Sequence, residues 1–169
     1  MIMKYLKLFE SFEYIDEICK KYNIENYKIN PDESIDVDVN GCVNEYVNLS
    51  YKNLTKLPLK FNKVNGSFYC DNNKLTTLEG CPKEVNGYFS CIYNELTSFE
   101  FAPKIIRGEF ICWNNNIKSF EYFPYVKNGF YCEGNPIWEV WILFGNKDKI
   151  ELLNDFDIFR DEDTDTPSI

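Results

Sequence analysis

The hydrophobic and polar positions of this chain recur with a period of 21 residues. Residues 64–84 read VNGSFYCDNNKLTTLEGCPKE, 85–105 read VNGYFSCIYNELTSFEFAPKI and 106–126 read IRGEFICWNNNIKSFEYFPYV. Another unit opens at Val126, one residue short between Pro124 and Val126. A divergent unit upstream has Val47, Leu49, Leu54 and Leu57 at the matching offsets. The shared columns are Phe68/Phe89/Phe110/Phe130, Cys70/Cys91/Cys112/Cys132, Asn73/Asn94/Asn115/Asn135 and Leu75/Leu96/Ile117/Ile137. Self-similarity at this period signals a solenoid, in which each unit buries its apolar face only by stacking on its neighbours.

Within F-x-C-x-x-N-x-L, the Phe and Cys are two apart and share one face of a short strand. The Leu points back into the same interior, as does the apolar residue three further on (Leu78, Phe99, Phe120, Val140). Stacked units then pair their strands as a short parallel sheet. The Asn column suits a buried turn, where an amide side chain bonds to backbone groups that the bend leaves unpaired. Gly66, Gly87 and Gly108 are expected to let the chain turn sharply into each strand. Pro82, Pro103 and Pro124 are expected to keep the outer edge free of regular structure.

A solenoid needs covered ends. Leu6, Phe9, Phe12, Ile15, Cys19 and Tyr22 follow a three-to-four spacing, which predicts an amphipathic helix. Ile35, Val37 and Val39 alternate with Asp36 and Asp38 ahead of Asn40-Gly41, a strand followed by a hairpin turn. At the other end, Asn135-Pro136 is a helix start. The helix it opens carries Trp138, Trp141, Ile142 and Phe144 to cover the last coil, and Gly145-Asn146 ends it. Asp148 with Glu151 opens another, bearing Ile150, Leu153 and Phe156. The predicted organisation is therefore a helix and strand cap over 1–46, repeats over 47–135, a helical cap over 136–160 and an acidic, disordered tail over 161–169.

The segment Leu49-Ser-Tyr-Lys-Asn-Leu54-Thr-Lys-Leu57-Pro58 resembles the bacterial short form of the leucine-rich repeat, L-x-x-N-x-L-x-x-L-P, with Lys52 in the Asn place. The later units resemble a variety common in predicted bacteriophage and metagenomic proteins, where G-x-F-x-C-x-x-N-x-L-T-S-L-E-G-C-P recurs. The resemblance runs from about residue 13 to 160. It implies a leucine-rich-repeat-like solenoid of about five coils and, through its phage-like members, a phage-encoded chain. This chain departs from them in its few repeats and short acidic tail.

Composition narrows the chemistry. The 169 residues carry a net charge of −9, no histidine, 14 Phe and 12 Tyr. Net negative charge without a basic run argues against nucleic acid and anionic membrane as partners. The lack of histidine removes the commonest general base and metal ligand. Residues 1–12 lack the unbroken apolar stretch of a signal peptide, and no apolar run approaches membrane-spanning length. A cytoplasmic setting follows, that of the host if the chain is phage-encoded, and it fits seven cysteines left as thiols. The cysteine ladder reads as core. Side chains on stacked strands point alike, which disfavours disulfides, and a straight ladder makes no tetrahedral metal site. Cys19 as a nucleophile has no histidine base. The acidic run Asp155, Asp157, Asp161, Glu162, Asp163 and Asp165 lacks the glycine and terminal glutamate of a calcium loop. Asp36 and Asp38 are expected to face water.

With Phe and Cys pointing in, their strand neighbours point out: Ser67, Tyr69, Asp71, Tyr88, Ser90, Ile92, Glu109, Ile111, Trp113, Tyr131 and Glu133. Leucine-rich repeats usually bind through this surface, and exposed Tyr and Trp beside apolar residues suit a protein interface. The leading expectation is a non-catalytic protein-binding module, with no cofactor. The alternative is a structural or virion-associated protein that self-associates. Residues 3–12 resemble the short leaders that send some phage proteins into capsids, and Leu8-Phe9-Glu10 resembles a Leu-x-Glu maturation cleavage site. A third class, a hydrolase with paired carboxylates, has no histidine, phosphate loop or serine elbow behind it.

Overall fold

In the computed structural model, the described residues are 2–38 and 46–143, with side chains described from residue 10 onward. The elements run α1 (Ile2–Lys21), β1 (Tyr27–Ile29), β2 (Ile35–Val37), β3 (Tyr46–Asn48), β4 (Phe61–Val64), β5 (Ser67–Tyr69), β6 (Glu84–Val85), β7 (Phe89–Ser90), β8 (Ile105–Ile106), β9 (Phe110–Ile111), β10 (Tyr125–Val126), β11 (Phe130–Tyr131) and α2 (Trp138–Leu143). They form a parallel β-solenoid of about four turns. One sheet has the order β11-β9-β7-β5-β3. The other has the order β1-β2-β4-β6-β8-β10, with β1 antiparallel to β2 and every other pairing parallel.

The second sheet corrects the expectation of a single sheet with an irregular outer edge. Its strands begin one or two residues after Pro82, Pro103 and Pro124. A proline ahead of a strand removes no ladder hydrogen bond, so it does not prevent pairing there. What drives the strand is the column Val64/Val85/Ile106/Val126, all buried and in register. The single-residue shortening falls between Pro124 and Tyr125, so that Tyr125 pairs with Ile105 and the stacking register survives.

Both sheets line one interior. Phe68, Phe89, Phe110 and Phe130 pile along it with centroids 5.9, 5.4 and 5.4 Å apart. Phe61 meets Phe68 edge-on from the neighbouring sheet, and Phe99 and Phe123 pack against Phe110 and Phe130 from the return path. Burying one such ring contributes about 1.5–3 kcal/mol. Leu75, Leu96, Ile117 and Ile137 fill the remaining side, and the cysteine column lies beneath the strands at 0% exposure.

The asparagine column sets the corners. Asn94 Nδ2 donates to the carbonyl of Cys91 in its own coil (3.1 Å) and of Cys70 in the coil before (3.0 Å), while its Oδ1 accepts from the Leu75 N–H (3.0 Å). Asn73, Asn115 and Asn135 repeat the pattern. The residue before each Asn is left-handed: Asn72, Tyr93, Asn114 and Gly134 have φ of 53, 50, 54 and 72°. In the divergent first coil Lys52 replaces the Asn, and only its backbone N–H joins, donating to Asn73 Oδ1 at 3.1 Å.

Three further expectations change. Gly66, Gly87 and Gly108 have no positive φ. The glycine at 108 is needed because the coils approach closely: a Cβ there would fall on the Gly87 carbonyl. Asn135 does not cap α2, since its side chain belongs to the ladder, and α2 begins at Trp138. Val140, expected inside, is 44% exposed. The chain has become helical by then, so the inward position passes to Trp141, packed on Phe130 (5.0 Å) and Phe120 (5.8 Å). Trp138 is partly buried against the core and Ile142 is exposed.

At the N-terminal end, Ile15 and Cys19 of α1 are buried, with Phe12 and Tyr22 packed beside them. The helix closes with Asn23 left-handed and the Ile24 N–H bonded to the Cys19 carbonyl at 2.9 Å, which satisfies an end carbonyl. Asp36 is half-buried and accepts from Asn62 Nδ2 (2.7 Å) rather than simply facing water. The side chains of Leu6 and Phe9, the turn at Asn40-Gly41, Phe144 and everything beyond it lie outside the described residues.

Replacing Asn94 by Ala strands the Leu75 N–H completely, while the Cys70 and Cys91 carbonyls keep Asn73 and Asn115 as donors. A buried orphan costs about 1–3 kcal/mol, and the lost amide bonds add to it. Urea denaturation of Asn94→Ala should show a loss of about 2–4 kcal/mol, and Asn73→Ala, at a less buried corner, a smaller one.

Candidate binding face

The sheet β3-β5-β7-β9-β11 turns alternate residues outward, so that its register builds a grid. Tyr46 pairs with Ser67 and Asn48 with Tyr69, and Tyr69 with Ser90; Ser90 pairs with Ile111 and Ile111 with Tyr131. Tyr88 and Glu109 precede these strands, and Asp71, Ile92, Trp113 and Glu133 follow them. The sequence-predicted residues therefore do come together on one surface. Tyr88, Trp113 and Tyr131 are exposed at 44, 39 and 37%, and Tyr69, Ile92, Glu109, Ile111 and Glu133 are half-buried.

Ser90 does not belong to the accessible set. It is 2% exposed, and its Oγ donates to Asp71 Oδ1 at 2.6 Å. The same oxygen accepts the Ile92 N–H at 2.8 Å, and the Asp71 N–H donates to Ser50 Oγ at 3.1 Å. Asp71 is thus a bracket across three coils as well as a surface charge. Desolvation lifts its pKa above the ordinary value, against the Ser90, Ile92 and Ser50 hydrogen bonds, which pull it down.

Aromatic rings shape the two ends of the face. Tyr46 meets Tyr69 edge-on at 5.7 Å, and Trp113 meets Tyr131 at 6.5 Å with planes 89° apart. The Tyr131 ring leans over Gly129, where an added Cβ would lie 2.9 Å from its Cε2. Beside the first coil, Lys21, Tyr22, Asn23, Tyr46, Asn48, Ser50 and Lys52 line an open depression of about 250 Å³.

Sequence reasoning missed Tyr46, Tyr51 and Tyr93, exposed at 42, 77 and 56%. Tyr46 was findable, since it sits one residue before Val47 as Ser67 sits before Phe68. Tyr51 and Tyr93 occupy the left-handed corner (φ 58 and 50°), which strand alternation does not reach.

The chain matches no family model, and no curated protein and no solved structure resembles it significantly. Its chemistry must be read from its own side chains. Cys19, Cys70, Cys81, Cys91, Cys112 and Cys132 are buried and not disulfide-bonded. Burial raises the Cys19 pKa to about 11 and lifts Cys70, Cys81, Cys91 and Cys112 well above the usual thiol range. Thiols held in the protonated form are poor nucleophiles and poor ligands. Among the described residues, no three His, Cys, Asp or Glu side chains are grouped to hold a metal, and no helix is long and apolar enough to cross a membrane.

Two measurements check this picture. In the folded protein at pH 8, alkylation mapped by mass spectrometry should spare Cys19, Cys70, Cys81, Cys91 and Cys112 and label them on denaturation; rapid native labelling would contradict their burial. Carboxyl NMR should place the Asp71 titration above 3.8, the ordinary value, and Ser90→Ala should raise it further. The folded chain then holds this proton more tightly than the unfolded one, so Asp71 favours folding below its unfolded pKa. That contribution fades as pH rises through the folded value.

Proposed function

We propose that the chain is a non-catalytic protein-binding module, a leucine-rich-repeat-like solenoid that docks a partner on the outward face of β3-β5-β7-β9-β11. The observation that carries this reading is the concentration of exposed Tyr46, Tyr88, Trp113 and Tyr131 on one short sheet. Large aromatics provide contact area at low conformational cost and dominate interface energetics. Tyr51 and Tyr93 add to it. The corner they occupy takes Asn or Gly in the other coils, and a bulky left-handed residue costs roughly 1 kcal/mol. Phe101 and Tyr122 are likewise left-handed and exposed, on the return path, so the corner tyrosines add ring area at the edge of the face while their φ alone does not mark it.

The phage-encoded origin belongs to this reading through the repeat's resemblance alone, and makes host or phage proteins the natural partners. With no histidine in the chain and the described thiols buried and protonated, a Cys–His or Ser–His pair has no support, which favours the binding reading over a catalytic one.

A tagged pull-down from native lysate should capture a partner with the wild-type chain and lose it with Tyr88→Glu/Trp113→Glu, circular dichroism showing that the variant folds. A partner retained by both would move the binding site off this sheet. Recovery of the chain alone would favour self-assembly.

A further inference from the structure

The two sheets carry opposite charge. Outward positions from Tyr46 to Glu133 on the β3-β5-β7-β9-β11 sheet include Asp71, Glu109 and Glu133 and no Lys or Arg. On the other sheet Lys83, Lys104, Arg107 and Lys127 flank β6, β8 and β10 and are all exposed. There Glu84 is paired with Lys63 at 3.2 Å. The later coils thus set a row of bases along one sheet, while on the other Tyr88, Trp113 and Tyr131 stand near Asp71, Glu109 and Glu133, the lysines beside this face being Lys21 and Lys52 at the first coil.

Resting on the binding-face reading above, we propose that this face takes a cationic, extended segment of a protein partner, with a Lys or Arg side chain seated at the corner of Trp113 and Tyr131. The two rings meet edge to face at 6.5 Å and both stay exposed, so a cation can lie against the ring face that the contact leaves open. Glu133 follows Tyr131 by two residues and lies one coil beyond Trp113, to which the Asn114 N–H ties it through the Glu133 carbonyl (2.8 Å). Its Oε2 is buried without a hydrogen-bond partner among the described residues. Sealed from solvent, that oxygen is not itself the contact; the half-buried carboxylate acts as a negative charge beside the two rings, which attracts an ammonium or guanidinium. Glu109 lies on the other side: the Phe130–Phe110 register sets it beside Gly129, the residue over which the Tyr131 ring leans.

Size selects a segment over a globular surface. Five rungs at the usual strand spacing span roughly 20 Å, and strands this short are about 10 Å long, so the face offers on the order of a few hundred Å². A standard interface between globular proteins needs about 800 Å² from each partner. An extended peptide crossing the rungs matches the smaller figure.

The test is fluorescence anisotropy of the full chain with labelled octalysine, using octaglutamate as control. Octalysine should bind saturably and octaglutamate should not. Trp113→Ala and Glu109→Gln/Glu133→Gln should each weaken binding about tenfold, as should raising NaCl from roughly 20 to 200 mM. Glu100→Gln/Glu121→Gln removes the same charge from exposed positions on the return path and should leave affinity unchanged. Equal losses from the two charge pairs would reduce the effect to net charge and overturn the proposal. So would sedimentation showing a self-association abolished by Lys104→Glu/Arg107→Glu, since the occupant would then be the basic sheet of a second copy. If octalysine fails while the pull-down partner still depends on Tyr88 and Trp113, the face binds but the cationic chemistry is wrong. If both fail, the binding-face reading falls with it.

Discussion

Each coil is held to the one before it by an asparagine side chain. The amide of Asn94 spends its donors on carbonyls of two coils and its acceptor on an N–H of the earlier coil. A bend has to leave backbone groups off the ladder, and a buried group left unpaired is costly. One amide per coil answers that cost. It also locks the register, because the same atoms cannot be reached from a coil slipped by one residue. Phenylalanine stacking, strand pairing and the outward grid all inherit that register.

The corner has a second requirement. The corner residue, ahead of the asparagine or of Lys52 in the first coil, is left-handed, which is easy for Asn72, Asn114 and Gly134 and costly for Tyr51 and Tyr93. Where the fold tolerates the cost, an exposed ring is projected from the edge of the sheet. Asp71 shows the same double use: it braces Ser90 and Ile92 while adding charge to the face. Stability and recognition thus draw on neighbouring columns of one repeat. A change made to alter binding at Asp71 would also loosen three coils, whereas Trp113 and Tyr88 join the bracing through their backbones alone and offer their side chains to solvent.

Charge gives the solenoid sidedness. With a repeat of 21 residues, any one column travels straight along the stack, so a base or an acid favoured in a column becomes a stripe. Lys83 and Lys104 form one such stripe and Arg107 and Lys127 another, on the sheet that lacks the exposed aromatic corner. Two surfaces of opposite sign on one short rod favour one orientation of a charged partner over its reverse.

The repeat period, the inward Phe, Cys and Leu columns, the role of the asparagines and the one-residue shortening after Pro124 were all legible in the sequence, because period and side-chain alternation are local properties. So was most of the outward grid, since a strand's neighbours point opposite to its core residues. Apart from the strand at Ile35–Val37 the second sheet was not, because each repeat gives it one buried apolar residue, from the column Val64/Val85/Ile106/Val126, which is no alternation to read, and only stacking pairs its strands. The need for glycine at 108 was equally hidden: it comes from the Gly87 carbonyl of the preceding coil, not from the local turn. Ser90 looked exposed by alternation and is buried because Asp71, 19 residues earlier, closes over it. Sequence alone determined what repeats and which way most side chains point. Which coils touch, and hence which outward residues stay open to a partner, was decided only when the turns stacked.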